Sequence, residues 1–287
     1  MHKKCLICSS SQIVPLEGYE EHYLVKCKNC SFVFAQKIPT EQELIEHYQG
    51  YGRNDYLSPL TIKRYEELLD RFESFRKTNK ILDVGAGIGY FLEVAKKKGW
   101  EVYGTEYTDE AVNICRDKGI QVEQGKLDPS KYDKGSFDVI TSFEVLEHIN
   151  NPVEEINNFK SLLRSGGLVY LTTPNFNSLL RYRLKSDYNV IVYPEHLSYY
   201  TPKTLKKLFL DCGFEKQKIQ ATGISLTRLR KSQGKSEQKI ISETSDDEVL
   251  RNKIEKKKHL QVAKSIVNGT LTTLGVGDSL KGWFIKK

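Results

Sequence analysis

Two groups of residues in this 287-residue sequence have types and spacings suited to chemistry. The first is Ile81–Phe91, ILDVGAGIGYF, where Asp83 precedes glycines at every second position: Gly85, Gly87 and Gly89. Ile81–Val84 reads as a short buried strand and Tyr90–Lys98 as a helix that Gly99 ends. A glycine-rich turn from strand to helix lets the backbone approach a ligand where a side chain would stand in the way. The dinucleotide fingerprint fails here, because its third glycine would fall at Tyr90. A phosphate-cradling P-loop fails too, because no Lys-Ser/Thr pair follows. An acid two residues ahead of Gly-x-Gly-x-Gly is what stays, and a plain βα turn of an unrelated α/β domain is the competing reading.

The second group is Cys5-x2-Cys8 and Cys27-x2-Cys30. Two such knuckles can each offer two thiolates to one tetrahedral zinc ion, so residues 1–37 read as a small zinc-ribbon module. Four cysteines close the coordination shell, which makes the expected role of zinc structural. Unmetallated thiols or two disulfides are the competing readings. Cys115 and Cys212 fall in predicted helices and read as small buried hydrophobes.

The acid-x-Gly-x-Gly-x-Gly pattern resembles motif I of the class I S-adenosylmethionine-dependent methyltransferases. That cofactor carries an amino acid end, a ribose and a sulfonium, with no phosphate to neutralise. The resemblance implies that Asp83 meets the ammonium, directly or through water, and that the glycines lie against the cofactor. The next strand, Trp100–Glu106, ends in Glu106, about twenty residues beyond the glycines, where a carboxylate can accept from both ribose hydroxyls. After a third strand, Ile120–Gln124, the resemblance makes Asp128 the candidate partner of the adenine amino group; a plain loop aspartate is the alternative. A fourth strand, Phe137–Ser142, leads into SFEVLEH, which closely resembles the post-strand segment of the small-molecule branch, including the ubiquinone-pathway O-methyltransferases. Ser142 and Phe143 then sit at the carboxyl edge of the sheet, where open α/β sheets bind ligands. His148 lies under the cofactor, near the acceptor, or only hydrogen-bonds its loop.

Tyr193-x-Glu195-His196, in an insertion over 175–200, resembles the tyrosine, glutamate and histidine of the deoxysugar C-methyltransferases, which also carry an N-terminal zinc module. Methyl transfer from a sulfonium is an in-line displacement, so the protein mainly supplies alignment. An acceptor hydroxyl, or a carbon beside a carbonyl, also needs a proton removed. His196 is the first candidate base, Glu195 its orienting partner, and Tyr193 or His148 the alternatives.

The elements that must position these groups follow the α/β pattern. Residues 38–78 form a linker and N-terminal helices: a short helix over 41–48, an aromatic–glycine loop over 48–56, and a helix over 59–77 with an apolar stripe. Residues 79–287 are expected to form a Rossmann-like seven-stranded methyltransferase sheet. A charged helical or flexible insertion at about 231–274 precedes the last strand, over 278–285, which returns antiparallel beside the sixth. Hydrophobic content of 39% is enough for a core. No run of about 18 apolar residues predicts a membrane span. The N-terminus has no apolar signal core, which predicts a cytoplasmic protein. The net charge of +7 reads as solvated lysine-rich faces.

The functional expectation is therefore a methyltransferase using S-adenosyl-L-methionine and structural Zn2+, acting on a small-molecule acceptor, a nucleotide-linked or glycan sugar by resemblance. An RNA methyltransferase gripping nucleic acid through the ribbon is the second reading. It is disfavoured by a ribbon poor in arginine and by the absence of an Asn/Asp-Pro-Pro-aromatic motif. A non-catalytic cofactor-binding protein is the third. The sequence leaves open whether oxygen, nitrogen or carbon is methylated, and the oligomeric state.

Overall fold

The computed structural model describes residues 1–40, 42–44, 57–232 and 245–287. The expected loop over 48–56 lies outside them, as do most of the expected helix over 41–48 and residues 233–244 of the charged stretch.

The N-terminal module builds three short strands, β1 (Ile13–Pro15), β2 (Leu24–Cys27) and β3 (Val33–Ala35), paired antiparallel in sequence order. Helix α1 (Pro59–Phe72) follows. Ser58 caps it by accepting from the Leu60 amide, and Pro59 occupies the first turn, where its missing N–H costs nothing.

Alternation of strand and helix then lays down β4 (Lys80–Val84), α2 (Tyr90–Lys97), β5 (Glu101–Glu106), α3 (Asp109–Asp117), β6 (Gln121–Gln124), β7 (Phe137–Phe143) and α4 (Pro152–Leu162). The fifth strand of the sheet, β8, runs over Leu163–Pro174, so it begins where α4 ends and not after Gly167. Its first residue already pairs with Phe137, which recruits the expected turn into the ladder.

The insertion after β8 holds a short helix, α5 (Leu179–Leu184), and a two-residue strand, β9 (Ser198–Tyr199). β9 pairs antiparallel with β3, giving the N-terminal sheet the order β1-β2-β3-β9. Next come α6 (Pro202–Asp211), opened by the Thr201–Thr204 capping box, and β10 (Phe214–Thr222). The C-terminal excursion is helical where described: α7 (Leu226–Ser232), α8 (Asp246–Glu255) and α9 (Lys258–Leu274). α9 is tied to β10, its Asn268 accepting from the Gly223 amide and Thr272 donating to the Ala221 carbonyl. The chain closes with β11 (Ser279–Lys286).

The main sheet has seven strands in the order β10-β11-β8-β7-β4-β5-β6. β11 lies antiparallel between β8 and β10, and the pairs from β8 to β6 are parallel. The order reverses between β4 and β7, the switch point at whose carboxyl edge such sheets bind ligands. One apolar face packs on α1 and α2 through Leu69, Phe72 and Phe91, and the other on α4 and α6 through Phe159 and Phe209. Among the described residues no helix is long and apolar enough to cross a membrane.

Candidate active site

Asp83 stands on β4 at the switch point and is almost fully buried. Its carboxylate accepts from the Thr141 hydroxyl on β7 at 2.7 Å. Burial, against that hydrogen bond, pushes its carboxyl up to about 7, and Glu106 adds to the shift. A cationic ligand group would reverse it. Gly85 has φ +76°, and a Cβ there would stand 2.4 Å from Val145 Cγ2. At Gly87, with φ +53°, a Cβ would meet nothing within 4 Å, so this stretch of loop faces open space that a ligand can fill. Gly89 lets α2 pack on α3, since a Cβ would lie 2.8 Å from Cys115 Sγ.

Glu106 ends β5 beside this loop. One carboxylate oxygen accepts from the Gly87 amide at 2.8 Å, the other from Tyr107 N at 2.7 Å and Thr108 N at 3.2 Å. The carboxylate and the loop are thus held against each other. The next cleft, about 530 Å³, is lined by Tyr107, Gln124, Gly125, Lys126, Asp128 and Lys131. Asp128 lines it, but its carboxylate is engaged by Ser130, from the amide at 2.9 Å and the hydroxyl at 2.7 Å. Tyr107 is 72% exposed and offers a flat aromatic face there. The only sign of it in the sequence is its place directly after Glu106.

Ser142 is buried in β7. The Phe143 ring packs with Tyr65, Phe91 and Tyr170, so its side chain serves the core on the α1 side. Beyond it the chain turns through Glu144, at φ +54°, into a short 3-10 turn over Leu146–His148.

That turn meets the insertion. The Leu197 amide donates to the Glu147 carbonyl at 2.8 Å, and the His148 and His196 rings meet edge-on with centroids 4.8 Å apart. His148 Nδ1 is 2.8 Å from the Glu195 carbonyl and His196 Nδ1 is 2.7 Å from the Val190 carbonyl. Each ring therefore donates from Nδ1, which leaves Nε2 as the lone-pair nitrogen of the neutral form. His148 Nε2 lies 4.0 Å from Glu147 Oε1, and His196 Nε2 lies 4.0 Å from Glu195 Oε1. Burial, then His148, holds His196 down at about 4, so it is neutral at pH 7. Burial, then Glu144, raises the Glu147 carboxyl, whose other oxygen accepts from Thr173 at 2.9 Å. Donor atoms of Glu147, His148 and His196 converge within 4.8 Å, a set that can pass a proton or hold a divalent ion.

The structure thus brings His148, Glu195 and His196 together. Tyr193 turns to the N-terminal module instead. Its ring packs against Tyr23 at 4.9 Å, with the Lys37 amine 5.2 Å from its centroid.

In that module Cys5, Cys8, Cys27 and Cys30 gather their sulfurs within 4.8 Å. The Cys5–Cys30 and Cys8–Cys27 separations are 3.5 and 3.6 Å. These are far from a disulfide bond and close to the edge, about 3.8 Å, of a tetrahedron with 2.3 Å metal–sulfur bonds. The donor set fits one zinc-like ion.

A methyltransferase-domain family profile matches residues 56–219. A ubiquinone biosynthesis O-methyltransferase of Haemophilus ducreyi is 32% identical over 135 residues, covering 43% of this chain and 55% of its own length. One from Azoarcus sp. is 27% identical over 149 residues, covering 47% and 64%. The chain thus spans a little over half to about two thirds of these relatives. Among solved structures, a SAM-dependent methyltransferase from Archaeoglobus fulgidus superposes with a TM-score of 0.53 at 21% identity, covering 85% of this chain and 99% of that one. Phosphoethanolamine N-methyltransferase 2 of Haemonchus contortus, in complex with S-adenosyl-L-methionine, gives 0.52 at 17% identity over 88% and 61%. At these identities the likeness concerns the fold.

Proposed function

The chain belongs to the methyltransferase-domain family, and we propose that it transfers a methyl group from S-adenosyl-L-methionine to a small-molecule acceptor. The observation that carries this reading is the pairing, at one sheet edge, of a ligand-ready loop and a base. Asp83, Gly87 and Glu106 frame the loop, and Val145, packed on Gly85, leads in three residues to the His148–His196 pair.

The cofactor would supply a methyl already activated on a sulfonium. Asp83 would take the ammonium, which restores its charge inside the fold, and the open side of Gly87 would accept the amino acid end. Glu106 would exchange the Gly87 amide for the ribose hydroxyls. Tyr107 and Asp128 would line the adenine cleft. His196, neutral and with no hydrogen bond to Nε2 among the described residues, would accept a proton from an acceptor hydroxyl or an acidic carbon. His148 and Glu147 stand next to it as relay partners. The Tyr-x-Glu-His resemblance supports a sugar-linked acceptor, and the four cysteines would hold zinc as a structural ion.

The test is a methyl-transfer assay with labelled cofactor against nucleotide sugars and, separately, total RNA. Label in the sugar pool is expected, with His196→Ala lowering turnover by about 10²–10⁴-fold and leaving S-adenosylhomocysteine binding intact. Label in RNA alone, or unchanged turnover in the variant, would refute the acceptor or the base.

A further inference from the structure

α9 is the longest helix among the described residues, and only one of its sides meets the protein. Leu271 is buried there, and Asn268 and Thr272 bond the end of β10. On the other side Val262, Ile266, Val267 and Leu274 are each more than half exposed, at 51–66%. Ala263, Thr270 and Thr273 are exposed too, and all seven fall on one side of the helix at 3.6-residue spacing. The threonines do not make that side polar. The Thr270 hydroxyl donates to the Ile266 carbonyl at 3.1 Å and the Thr273 hydroxyl to the Gly269 carbonyl at 3.0 Å, so neither needs water. Exposed apolar residues gathered in this way, and not scattered singly, mark an interaction surface.

The surrounding charge selects the partner. Lys256, Lys257 and Lys258 stand exposed at the N-terminal end of α9, and Glu255, the acid before them, is paired with Lys63. Residues 256–277 hold Lys264 as well and no acid. At the other end α5 abuts the helix. The Leu179 amide donates to the Val276 carbonyl at 3.0 Å. Asn177 accepts from the Tyr182 hydroxyl at 2.6 Å and donates to the Gly275 carbonyl at 3.1 Å. Leu179 and Tyr182, both exposed, therefore extend the surface past Leu274. Arg183 and Lys185, also exposed, follow Tyr182, and with Arg181 they outnumber Asp187, the one acid of this stretch.

Basic groups at both ends disfavour pairing with a second copy. A two-fold contact sets α9 on α9 either parallel, lysines against lysines, or antiparallel, lysines against the Arg183 end, and both crowd like charges. An anionic lipid surface satisfies both ends at once. The apolar side enters the acyl boundary, the cations stay among the headgroups, and Tyr182 has the amphipathic ring that favours the interface.

We infer that α9 docks the protein on an anionic bilayer, lying flat with Val262, Ile266, Val267 and Leu274 inserted and its two basic ends on the headgroup phosphates. This docking does not depend on methyl transfer.

The test is co-sedimentation of the full chain with vesicles of phosphatidylcholine, with and without phosphatidylglycerol. Binding is expected to be tighter with phosphatidylglycerol and to weaken as salt is raised. Val262→Gln combined with Ile266→Gln should weaken it at least about tenfold and leave the melting temperature unchanged, because both side chains face solvent. Lys256→Gln, Lys257→Gln and Lys258→Gln together should weaken it at least about tenfold and flatten the salt dependence. Leu210→Gln, an exposed leucine on α6, should change nothing. No binding to anionic vesicles by folded protein, or equal and salt-insensitive binding to both vesicle types, would overturn the docking. Sedimentation velocity without lipid gives the remaining arm: a dimer that Val262→Gln with Ile266→Gln returns to monomer would assign the face to a second copy instead.

Discussion

At the residue scale, Asp83 makes stability depend on pH and, on the proposed reading, ligand binding too. Its carboxyl, raised to about 7, binds a proton in the folded state that the unfolded chain releases at ordinary carboxylate pH. Between roughly pH 4 and 7 the folded state therefore holds more protons, so this residue's contribution to stability falls as pH rises through that window. Asp83→Asn keeps an oxygen for the Thr141 hydroxyl and removes the buried charge. The variant should melt higher than the parent at pH 8 and show a flatter stability profile between pH 4 and 7. It should also lose S-adenosylhomocysteine affinity at least about tenfold, because the ligand ammonium loses its charged partner. Binding to the parent protein should tighten from pH 5.5 to 7 and then level, with proton release measurable in buffers of different ionisation enthalpy. A pH-independent affinity would mean that Asp83 is not the ammonium partner. His196 has the opposite sign: held near 4, it must take a proton as the fold opens, so its contribution is lost as pH falls from about 6.5 toward 4.

At the scale of elements, β9 joins the cysteine module to the stretch proposed to face the acceptor. β3 holds Ser198 and Tyr199, and the adjoining 190–197 stretch carries Glu195 and His196. Chelating the zinc proposed for the four cysteines, or changing Cys27→Ser and Cys30→Ser, should therefore abolish methyl transfer before it abolishes cofactor binding. Calorimetry with S-adenosylhomocysteine beside the turnover assay would check this; parallel loss of both would mean that the module supports the whole fold equally. β11 answers a different demand. Phe284 is fully buried and stacks on Phe209 with centroids 3.8 Å apart. Phe284→Ala should cost about 3–5 kcal/mol by denaturant melting. What the sequence disclosed follows the same division. The glycine turn, the cysteine knuckles and the strand–helix alternation are local patterns, and the loop acids follow from them at fixed distances. The pairing of β9 with β3 joins residues more than 160 positions apart through only two residues, too short a run for any periodicity. Tyr193 belongs to the same class: its spacing from His196 placed it with the base, but the β9 pairing turned its ring to Tyr23.

At the scale of the whole molecule, the expected boundaries at 37 and 78 cut through a shared core. Ile7, Phe32 and Phe34 of the N-terminal module belong to one apolar cluster with Leu146, Tyr200 and Leu205 of the main domain. The Phe32 and Tyr200 rings lie 5.2 Å apart, and His2 Nε2 meets Asn150 Oδ1 at 2.6 Å. A fragment beginning at residue 79 would lose Phe32 and Phe34, and α1 with Leu69 and Phe72, all fully buried. At about 1.5–3 kcal/mol for each large buried side chain, four such losses approach the whole stability of an ordinary domain, about 5–15 kcal/mol. A fragment over 38–287 keeps α1 but still uncovers Tyr200 and frees β9. The shorter fragment should be insoluble or molten, without near-ultraviolet circular dichroism. The longer one should melt well below the full chain and bind S-adenosylhomocysteine without methylating the acceptor. If the 79–287 fragment instead unfolded cooperatively near the parent temperature, the module would be an appendage, and the link from the cysteine cluster through β9 to His196 would have to be abandoned.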